Sequence, residues 1–389
     1  MERDVSLAPG AGPGAAPDLA VVPPPGDIGP APLGPGDEPF DNRAFAVTAR
    51  SVPGVAEKWA SLVRWEAGLA LALVGTVVVG ALLSGQFLTS SNLLNAGLSN
   101  GEVAIMALPM MMVIIAGEID LSIQSTLSLA SCMLGYLWGH GWPMPLAIAT
   151  VLATGVVLGI FNGLLVTRLG LPSLAVTIGT LALYGGIAEI VLGSNIISTF
   201  PESYANIGVY PFPHTPVSYS TVIFAGLALV FCFVLHFTAF GRSVFAIGAN
   251  KEAALYAGIR VKRVKTVLFA VSGLIGALAG VLLTFELSTA EFSNGNGLVL
   301  PVVAVVLLGG VSIFGGKGSL LGVVLAILVF AGLQNALLLT NFPQTASEII
   351  PGALLMVAVL VPYAGELLRR GRSFLRREQV PGSSGGGRR

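Results

Sequence analysis

The chain has 389 residues, of which 54% are apolar and only 10% are charged. Soluble domains carry about 25% charged residues, so this composition excludes an ordinary soluble protein and indicates a protein surrounded by membrane lipid. The formal net charge is zero, which gives no support to a nucleic acid partner held by overall positive charge.

Residues 1–52 differ in composition from the rest of the chain. They are rich in Pro, Gly and Ala and contain no sustained apolar period. Such a segment cannot bury enough apolar surface to offset the entropy lost on ordering, and it lacks the basic start and compact apolar core of a secretory signal. We therefore expect a disordered cytosolic tail over 1–52, a transmembrane domain over 53–365 and a basic cytosolic tail over 366–389.

A helix that crosses a bilayer needs roughly 17 to 25 apolar residues, and ten apolar runs after the first tail meet or approach this length. They predict an all-α fold, a polytopic membrane bundle of about ten transmembrane helices. The eighth run is short and is followed by two glycine pairs, which is typical of a broken or re-entrant segment. The predicted spans are 67–84, 92–116, 123–138, 146–166, 173–192, 219–237, 266–287, 298–308, 319–339 and 346–361.

The basic residues orient this bundle. With ten spans and the first residue in the cytosol, all 20 Lys and Arg residues fall on the inner side. Cytoplasmic loops retain positive charge, so we expect a multi-pass plasma membrane protein with both termini in the cytoplasm. The loop around His214 is then outside, and the loop around Lys251 is inside.

An internal repeat agrees with ten spans. Residues 159–167, at the inner end of the fourth span, match residues 332–340, at the outer end of the ninth. Spans five apart in number run in opposite directions, so the match would make an inverted-topology repeat of five plus five helices. Two pairs of small residues at helical spacing also predict close helix contacts: Gly159 with Gly163, and Gly276 with Gly280.

The sequence shows none of the common motifs for catalysis or cofactor binding. It contains no nucleophile motif, no metal-ligand spacing and no phosphate-binding loop, so we predict no catalytic, metal or cofactor residues and no enzyme activity. Ionisable residues inside the spans are almost absent, with Glu189 and Glu286 near outer ends and His236 near an inner end. Ion-driven transporters usually carry acidic or His residues at membrane depth, so the energy for transport is expected to come from another source.

The polar interval 240–265 lies between the sixth and seventh spans. Within it, Glu252, Ala253 and Ala254 favour a short helix that Gly258 ends by a left-handed turn. Six basic residues surround this helix: Arg242, Lys251, Arg260, Lys262, Arg263 and Lys265. An ordinary solvated connector remains the alternative reading of these residues alone.

Two further stretches interrupt the apolar runs with polar residues or glycines. Residues 117–125 read GEIDLSIQS, and residues 302–319 read VVAVVLLGGVSIFGGKGS. Asp120 stands at the inner end of a span, where its carboxylate is expected to cap the following helix. A direct gating or substrate role for Asp120 is the alternative.

Together these three stretches resemble permeases of ATP-binding-cassette (ABC) importers, the binding-protein-dependent inner membrane components. The interval 240–265 resembles their coupling loop, with its Glu-Ala-Ala-x3-Gly pattern, and the FGR run is similar to that of the ribose-type branch. Residues 117–125 resemble the G-G-I-D-L-S-V-G-S signature of that branch but depart from it at Glu118 and Gln124. Residues 302–319 resemble its A-A-V-V-L-G-G-x4-G-G-x-G-S run.

The resemblance implies the membrane-spanning permease subunit of a bacterial importer for a monosaccharide or related solute, with ribose, xylose, rhamnose and autoinducer 2 all open. It implies ABC ATPase subunits, an extracytoplasmic substrate-binding protein and a second permease subunit, identical or different, as partners. A branched-chain amino-acid permease is the alternative within the class. A self-contained channel or facilitator is the alternative outside it, although such a protein needs no docking loop.

The resemblance also implies site residues by position. The ATPase-coupling residues are Gly248, Asn250, Glu252, Ala253, Ala254 and Gly258. The signature residues near the inner gate are Ile119, Asp120, Leu121 and Ser122.

Overall fold

The computed structural model describes residues 55–340, 349–358 and 360, with side chains from residue 65 onward. Both predicted tails, 1–52 and 366–389, therefore lie outside the described residues. The described part is helical apart from two isolated β-bridges, which join Ile197 to Ala290 and Pro211 to Ser218. The helices are α1 (Val55–Leu83), α2 (Ser90–Leu98), α3 (Gly101–Ile115), α4 (Ile123–Gly139), α5 (Met144–Arg168), α6 (Ser173–Leu192), α7 (Glu202–Val209), α8 (Tyr219–Phe237), α9 (Ala239–Ala249), α10 (Lys251–Tyr256), α11 (Val261–Leu287), α12 (Val299–Leu308), α13 (Leu320–Leu339) and α14 (Ile349–Ala358).

Six of these helices are long and apolar enough to cross a membrane, namely α1, α5, α6, α8, α11 and α13. The pair α2 and α3 makes a seventh span if the two are taken together. At the other predicted spans, α4 has 17 residues, α12 has 10 residues and α14 is described only over Ile349–Ala358. The all-α, polytopic bundle is confirmed, and the number of ten crossings stays a prediction.

The second predicted span is not one straight helix. α2 and α3 meet at an angle of 49°. Asn100 lies at the break with φ −126° and ψ 5°, and its side-chain amide donates to the carbonyl oxygen of Ala96 at 3.1 Å. The polar run of Ser99, Asn100 and Gly101 marks this break inside an otherwise apolar stretch.

Helix α3 is the centre of the bundle. All its residues from Gly101 to Ile115 are buried, and α8, α11, α12 and α13 pack against it. A helix that is apolar on every face is stable only when other helices surround it. Helix α3 is therefore held in place by the packing of its neighbours.

Small residues set how closely α11 approaches its neighbours. A Cβ atom on Gly159 of α5 would lie 2.1 Å from the carbonyl oxygen of Phe269 in α11, and one on Gly163 would lie 2.9 Å from α11 backbone. On another face of α11, a Cβ atom on Gly280 would lie 2.4 Å from the carbonyl oxygen of Leu127 in α4. The predicted close contacts at these glycines are confirmed. The inverted repeat stays a prediction.

Segments predicted to share one side of the membrane contact one another. On one side, Thr167 and Thr266 join their hydroxyls at 3.1 Å. On the other, the indole of Trp138 donates to the carbonyl oxygen of Thr199 at 2.6 Å. We call the end with residues 116–122, 238–265 and 309–319 the inner end, and the opposite end the outer end.

Candidate functional site

The inner end brings the three motifs of the sequence together at a set of glycines. The amide of Gly316 donates to the carbonyl oxygen of Ile115, the last residue of α3, at 2.8 Å. A Cβ atom on Gly248 of α9 would lie 1.8 Å from that oxygen and 2.4 Å from the Gly316 nitrogen. Only glycine leaves room for α9 to rest on these two peptide groups.

The loop after α12 completes this contact. Gly315 and Gly316 have φ values of +80° and +71°, a conformation that residues with a Cβ rarely adopt. A Cβ atom on Gly315 would lie 3.1 Å from the Cα atom of Gly117. We call Gly117, Gly248, Gly315 and Gly316 the glycine junction, because all three motifs meet there through backbone atoms.

Asn250 separates α9 from α10. Its backbone is extended, with φ −161° and ψ 107°, and its side-chain oxygen accepts from the amide of Ala253 at 3.0 Å. An amide oxygen in this position satisfies a free N–H group of the first helical turn. Asn250 therefore ends one helix and starts the next in a new direction.

Gly258 ends α10 in the left-handed conformation that the sequence predicted, with φ +80°. Its amide donates to the carbonyl oxygen of Leu255, and the amide of Ile259 donates to that of Ala254, both at 3.0 Å. This pair of bonds is a Schellman motif. No atom lies within 4 Å of a Cβ built on Gly258, so a substitution there strains the backbone without a steric clash.

Helix α10 is attached by one face and exposed on the others. Ala254 is buried against Ile247 and Val261. Glu252 and Ala253 are exposed, and Tyr256 is 93% exposed. The helix thus presents most of its surface away from the bundle, which is the arrangement a docking helix requires.

Asp120 is buried and joins two elements. Its Oδ1 atom accepts from the amide of Ser122 at 3.1 Å and from the Ser122 hydroxyl at 2.6 Å. Its Oδ2 atom accepts from the hydroxyl of Ser272 in α11 at 2.6 Å. The expected contact with a free N–H group at the start of α4 is present, since Ser122 is the N-cap residue of that helix, and the carboxylate also reaches across to another helix.

The hydrogen bonds continue from Ser122 into two more helices. The Ser122 hydroxyl accepts from the side-chain amide of Asn162 in α5 at 2.7 Å, and the Asn162 oxygen accepts from the hydroxyl of Tyr184 in α6 at 3.0 Å. The amide of Ile119 donates to the hydroxyl of Ser173 at 3.2 Å. Buried networks with satisfied members hold one geometry firmly. The signature residues 119–122, with Leu121 half-buried among them, therefore fix the short link between α3 and α4.

Both departures from the family signature form contacts between distant parts of the chain. The carboxylate of Glu118 forms an ion pair with the ammonium group of Lys265 in α11. The side-chain oxygen of Gln124 accepts from the amide of Val299, the first residue of α12, at 2.9 Å. These partners stand far along the sequence, so no local pattern predicted them.

A carboxyl pair at the outer end was missed by the sequence analysis. Glu102 in α3 is 3% exposed, and its carboxyl group lies close to that of Glu286 in α11. Glu102 falls inside the predicted span 92–116 and was not counted among the ionisable residues. The statement that such residues are almost absent is therefore wrong, and it carries no argument against ion coupling.

Within residues 55–340, 349–358 and 360, no group of three His, Cys, Asp or Glu side chains is placed to hold a metal ion. The contacts at the inner end are instead suited to transmit movement between helices. An exposed helix rests, through glycine contacts, on the end of the central helix and on the hydrogen-bonded link that follows it.

Comparisons with known proteins identify the family of this chain. Residues 92–359 match the model of a family described as "Branched-chain amino acid transport system / permease component". The autoinducer 2 import system permease protein LsrD of Klebsiella pneumoniae subsp. pneumoniae is 34% identical over 307 residues, which cover 76% of this chain and 90% of that protein. The LsrD proteins of Yersinia enterocolitica and Escherichia coli K12 are 35% and 36% identical, each over 76% of this chain and 91% of the relative. No solved structure matches the chain significantly.

The family match includes the residues of all three motifs and more than half of the chain. Its members and these relatives are permease subunits of import systems and not enzymes, and ATP hydrolysis in such systems belongs to a separate subunit. The chain therefore belongs to the permease family of ABC importers, as its three motifs implied.

Proposed function

We propose that the chain forms the translocation pathway of an ABC importer for a monosaccharide-like solute, with autoinducer 2 as the leading candidate. The observation that carries this substrate class is the 34% to 36% identity to autoinducer 2 import permeases along about nine-tenths of their length. The ribose-type pattern of the coupling interval favours the same class. A branched-chain amino acid is the second candidate, because the family description names that solute.

The substrate proposal is tested by uptake in cells that express the chain with its ATPase and binding protein. Radiolabelled autoinducer 2, ribose and leucine are supplied separately, with a strain that lacks only this chain as the control. We expect uptake of autoinducer 2 to depend on the chain. Leucine uptake that depends on the chain, with no effect on autoinducer 2, would reject this substrate class.

Helix α10 is proposed to dock into an ABC ATPase subunit. The exposure of Glu252, Ala253 and Tyr256 supports this role, and Ala254 provides the anchor to the bundle. Docking moves α10, and the glycine junction passes the movement from α9 to the inner end of α3. The link 119–122 then changes its position between α5, α6 and α11 and so opens or closes the pathway.

A cysteine at position 256, in a chain without Cys132 and Cys232, tests the docking proposal. We expect it to form crosslinks with the ATPase that increase or decrease when ATP is bound. The same substitution at exposed Trp142, between α4 and α5 at the outer end, is the control. Equal crosslinking at both positions would mean that α10 is not a docking element.

The remaining partners are proposed from membership of the permease family, and the orientation in the membrane from the distribution of basic residues. A substrate-binding protein delivers the solute to the outer end, and a second permease subunit completes the pathway in the bacterial plasma membrane. Cysteines at positions 214 and 251 test the orientation with an impermeant thiol reagent on intact cells. We expect labelling at position 214 alone, and labelling at position 251 alone would reverse the topology.

A further inference from the structure

The basic residues of the interval 240–265 fall into two groups. Five of them are exposed, as cytoplasmic basic residues usually are, whereas Lys265 is buried. The side chains of Lys265 and its partner Glu118 are only 8% and 14% exposed. The exposed residues are Arg242, Lys251, Arg260, Lys262 and Arg263.

The ion pair holds the link between α3 and α4 against one face of α11. Lys265 stands seven residues before Ser272, so the two side chains lie on the same face of the helix, two turns apart. Lys265 binds Glu118, and Ser272 binds Asp120. The segment 118–120 is therefore attached to α11 at two successive points.

The first turn of α11 is closely connected to α10. Only the four residues 257–260 separate the two helices. Val261, the first residue of α11, packs on Ala254 of α10 and on Ile247 of α9. A displacement of α10 therefore reaches Lys265 through short, packed connections.

We propose that the Glu118–Lys265 ion pair transmits the displacement of α10 to residues 117–122, which link α3 to α4. Glu118 and Lys265 are then positioning residues for transport. This inference rests on the proposed docking of an ATPase subunit on α10. The pair acts together with the glycine junction, since one contact moves the segment from α11 and the other moves it from α9. Glycine, which the family signature has at position 118, offers no side chain for this contact.

The physics of buried ion pairs separates a coupling role from a folding role. Removal of one partner leaves an unpaired buried charge and destabilises the fold, whatever the function of the pair. Replacement of both partners by apolar residues of similar volume is often neutral for stability. The double variant Glu118→Met with Lys265→Met therefore removes the electrostatic link and retains the packing.

The test uses the full importer, with its ATPase and binding protein, in liposomes. The measured quantities are solute transported per ATP hydrolysed, crosslinking from position 256 to the ATPase, and thermal stability. We expect the double methionine variant to retain its stability and crosslinking and to lose about fivefold or more of its transport per ATP. The reversed pair, Glu118→Lys with Lys265→Glu, should recover much of the loss. Arg168→Met, which removes an exposed inner-end charge, should transport normally.

A double methionine variant that transports at the wild-type ratio, with crosslinking intact, would overturn this inference and leave the docking proposal standing. A folded reversed pair that transports no better than the methionine variant would also overturn it. If the reversed pair does not assemble, the methionine variant alone decides the outcome. Absence of crosslinking in the Tyr256→Cys protein that retains Glu118 and Lys265 would overturn the docking proposal and this inference together.

Discussion

The two ends of the bundle are held together differently. At the inner end, backbone atoms of Gly248 and Gly316 meet Ile115 directly, and the buried carboxylate of Asp120 has hydrogen-bond donors for both oxygens. At the outer end lie all four buried side-chain oxygens that lack a hydrogen-bond partner within the described residues: Asn100 Oδ1, Glu102 Oε1, Glu286 Oε2 and Asn294 Oδ1.

This difference indicates that the two ends have different roles. A buried acceptor without a donor costs free energy, so the outer end is suited to accept donors that the described residues do not supply. The inner end has tight contacts and satisfied polar groups, which suit the transmission of movement. Variants at the two ends test whether the ends respond differently to substitution.

The largest effect is expected from Gly248→Ala. A single methyl group at this position would lie 1.8 Å from a carbonyl oxygen, so α9 must move away from α3, at a cost of about 3 kcal/mol or more. Uptake should be abolished, and the amount of folded protein in the membrane should fall. Gly226→Ala in α8 is the control, because no atom lies within 4 Å of its added Cβ. Normal uptake by Gly248→Ala would show that the close contact at the glycine junction is not needed.

Gly258→Val should be nearly as severe for transport and much milder for the fold. A β-branched residue in the left-handed conformation strains the backbone at a cost of about 1 to 3 kcal/mol. This cost corresponds to a change of about 5- to 150-fold in the equilibrium between the docked and undocked forms. We expect normal membrane abundance, reduced binding of the ATPase and strongly reduced uptake.

The matched control for this variant is Gly170→Val. Gly170 lies between α5 and α6 at the same end, has φ +72°, and also has no atom within 4 Å of an added Cβ. The backbone strain is therefore the same, but the position is away from α10. Equal loss of uptake in both variants would mean that strain anywhere at the inner end blocks transport.

A moderate effect is expected from Asp120→Asn. The amide retains the shape of the carboxyl group but replaces one of its two accepting oxygens by an NH2 donor, so a hydrogen bond worth about 1 kcal/mol is lost. Thermal denaturation should shift to lower temperature, and uptake should fall. Glu291→Gln at the outer end is the comparison, because among the described residues the carboxylate of Glu291 accepts a single side-chain bond, from nearby Ser293 at 2.8 Å. Equal shifts in both variants would remove the distinction between the ends.

The smallest effect is expected from Glu102→Gln. An ionised carboxylate at position 102 is buried beside a second carboxyl group, which costs free energy as the pH rises, whereas a glutamine is uncharged at any pH. The variant should therefore gain stability of about 1 kcal/mol at pH 8 and little at pH 5. Differential scanning fluorimetry at the two pH values measures this, and a loss of stability at both would contradict this expectation.

Much of the helical framework could be predicted from local sequence. The spans 173–192 and 219–237 agree with α6 and α8 residue for residue, because polar and turn-forming residues mark both ends of each apolar run. The left-handed turn at Gly258 was also predictable, since its cause lies within six residues. The short eighth span was visible from its flanking glycines.

The contacts between distant segments could not be predicted in this way. Glu118 and Gln124 were recognised only as departures from a signature, because their partners are set by tertiary packing. Gly248 was assigned to ATPase coupling by resemblance, whereas its lack of a side chain is explained by contact within the chain itself. The bend at Asn100 and the burial of Glu102 had a sequence signal, a polar interruption of an apolar run, that the length of the run obscured.

The glycine junction has one further consequence, for the manner in which the transporter changes state. Side chains in a contact can change rotamer and absorb a small shift, but planar peptide groups in direct contact cannot. A shift of α9 by a fraction of an ångström must then be matched by α3, or the hydrogen bond between Gly316 and Ile115 must break. Packed contacts of this kind switch between discrete arrangements and do not deform gradually. The inner gate should accordingly behave as an all-or-none element, with single-step openings in place of a continuum of partly open forms.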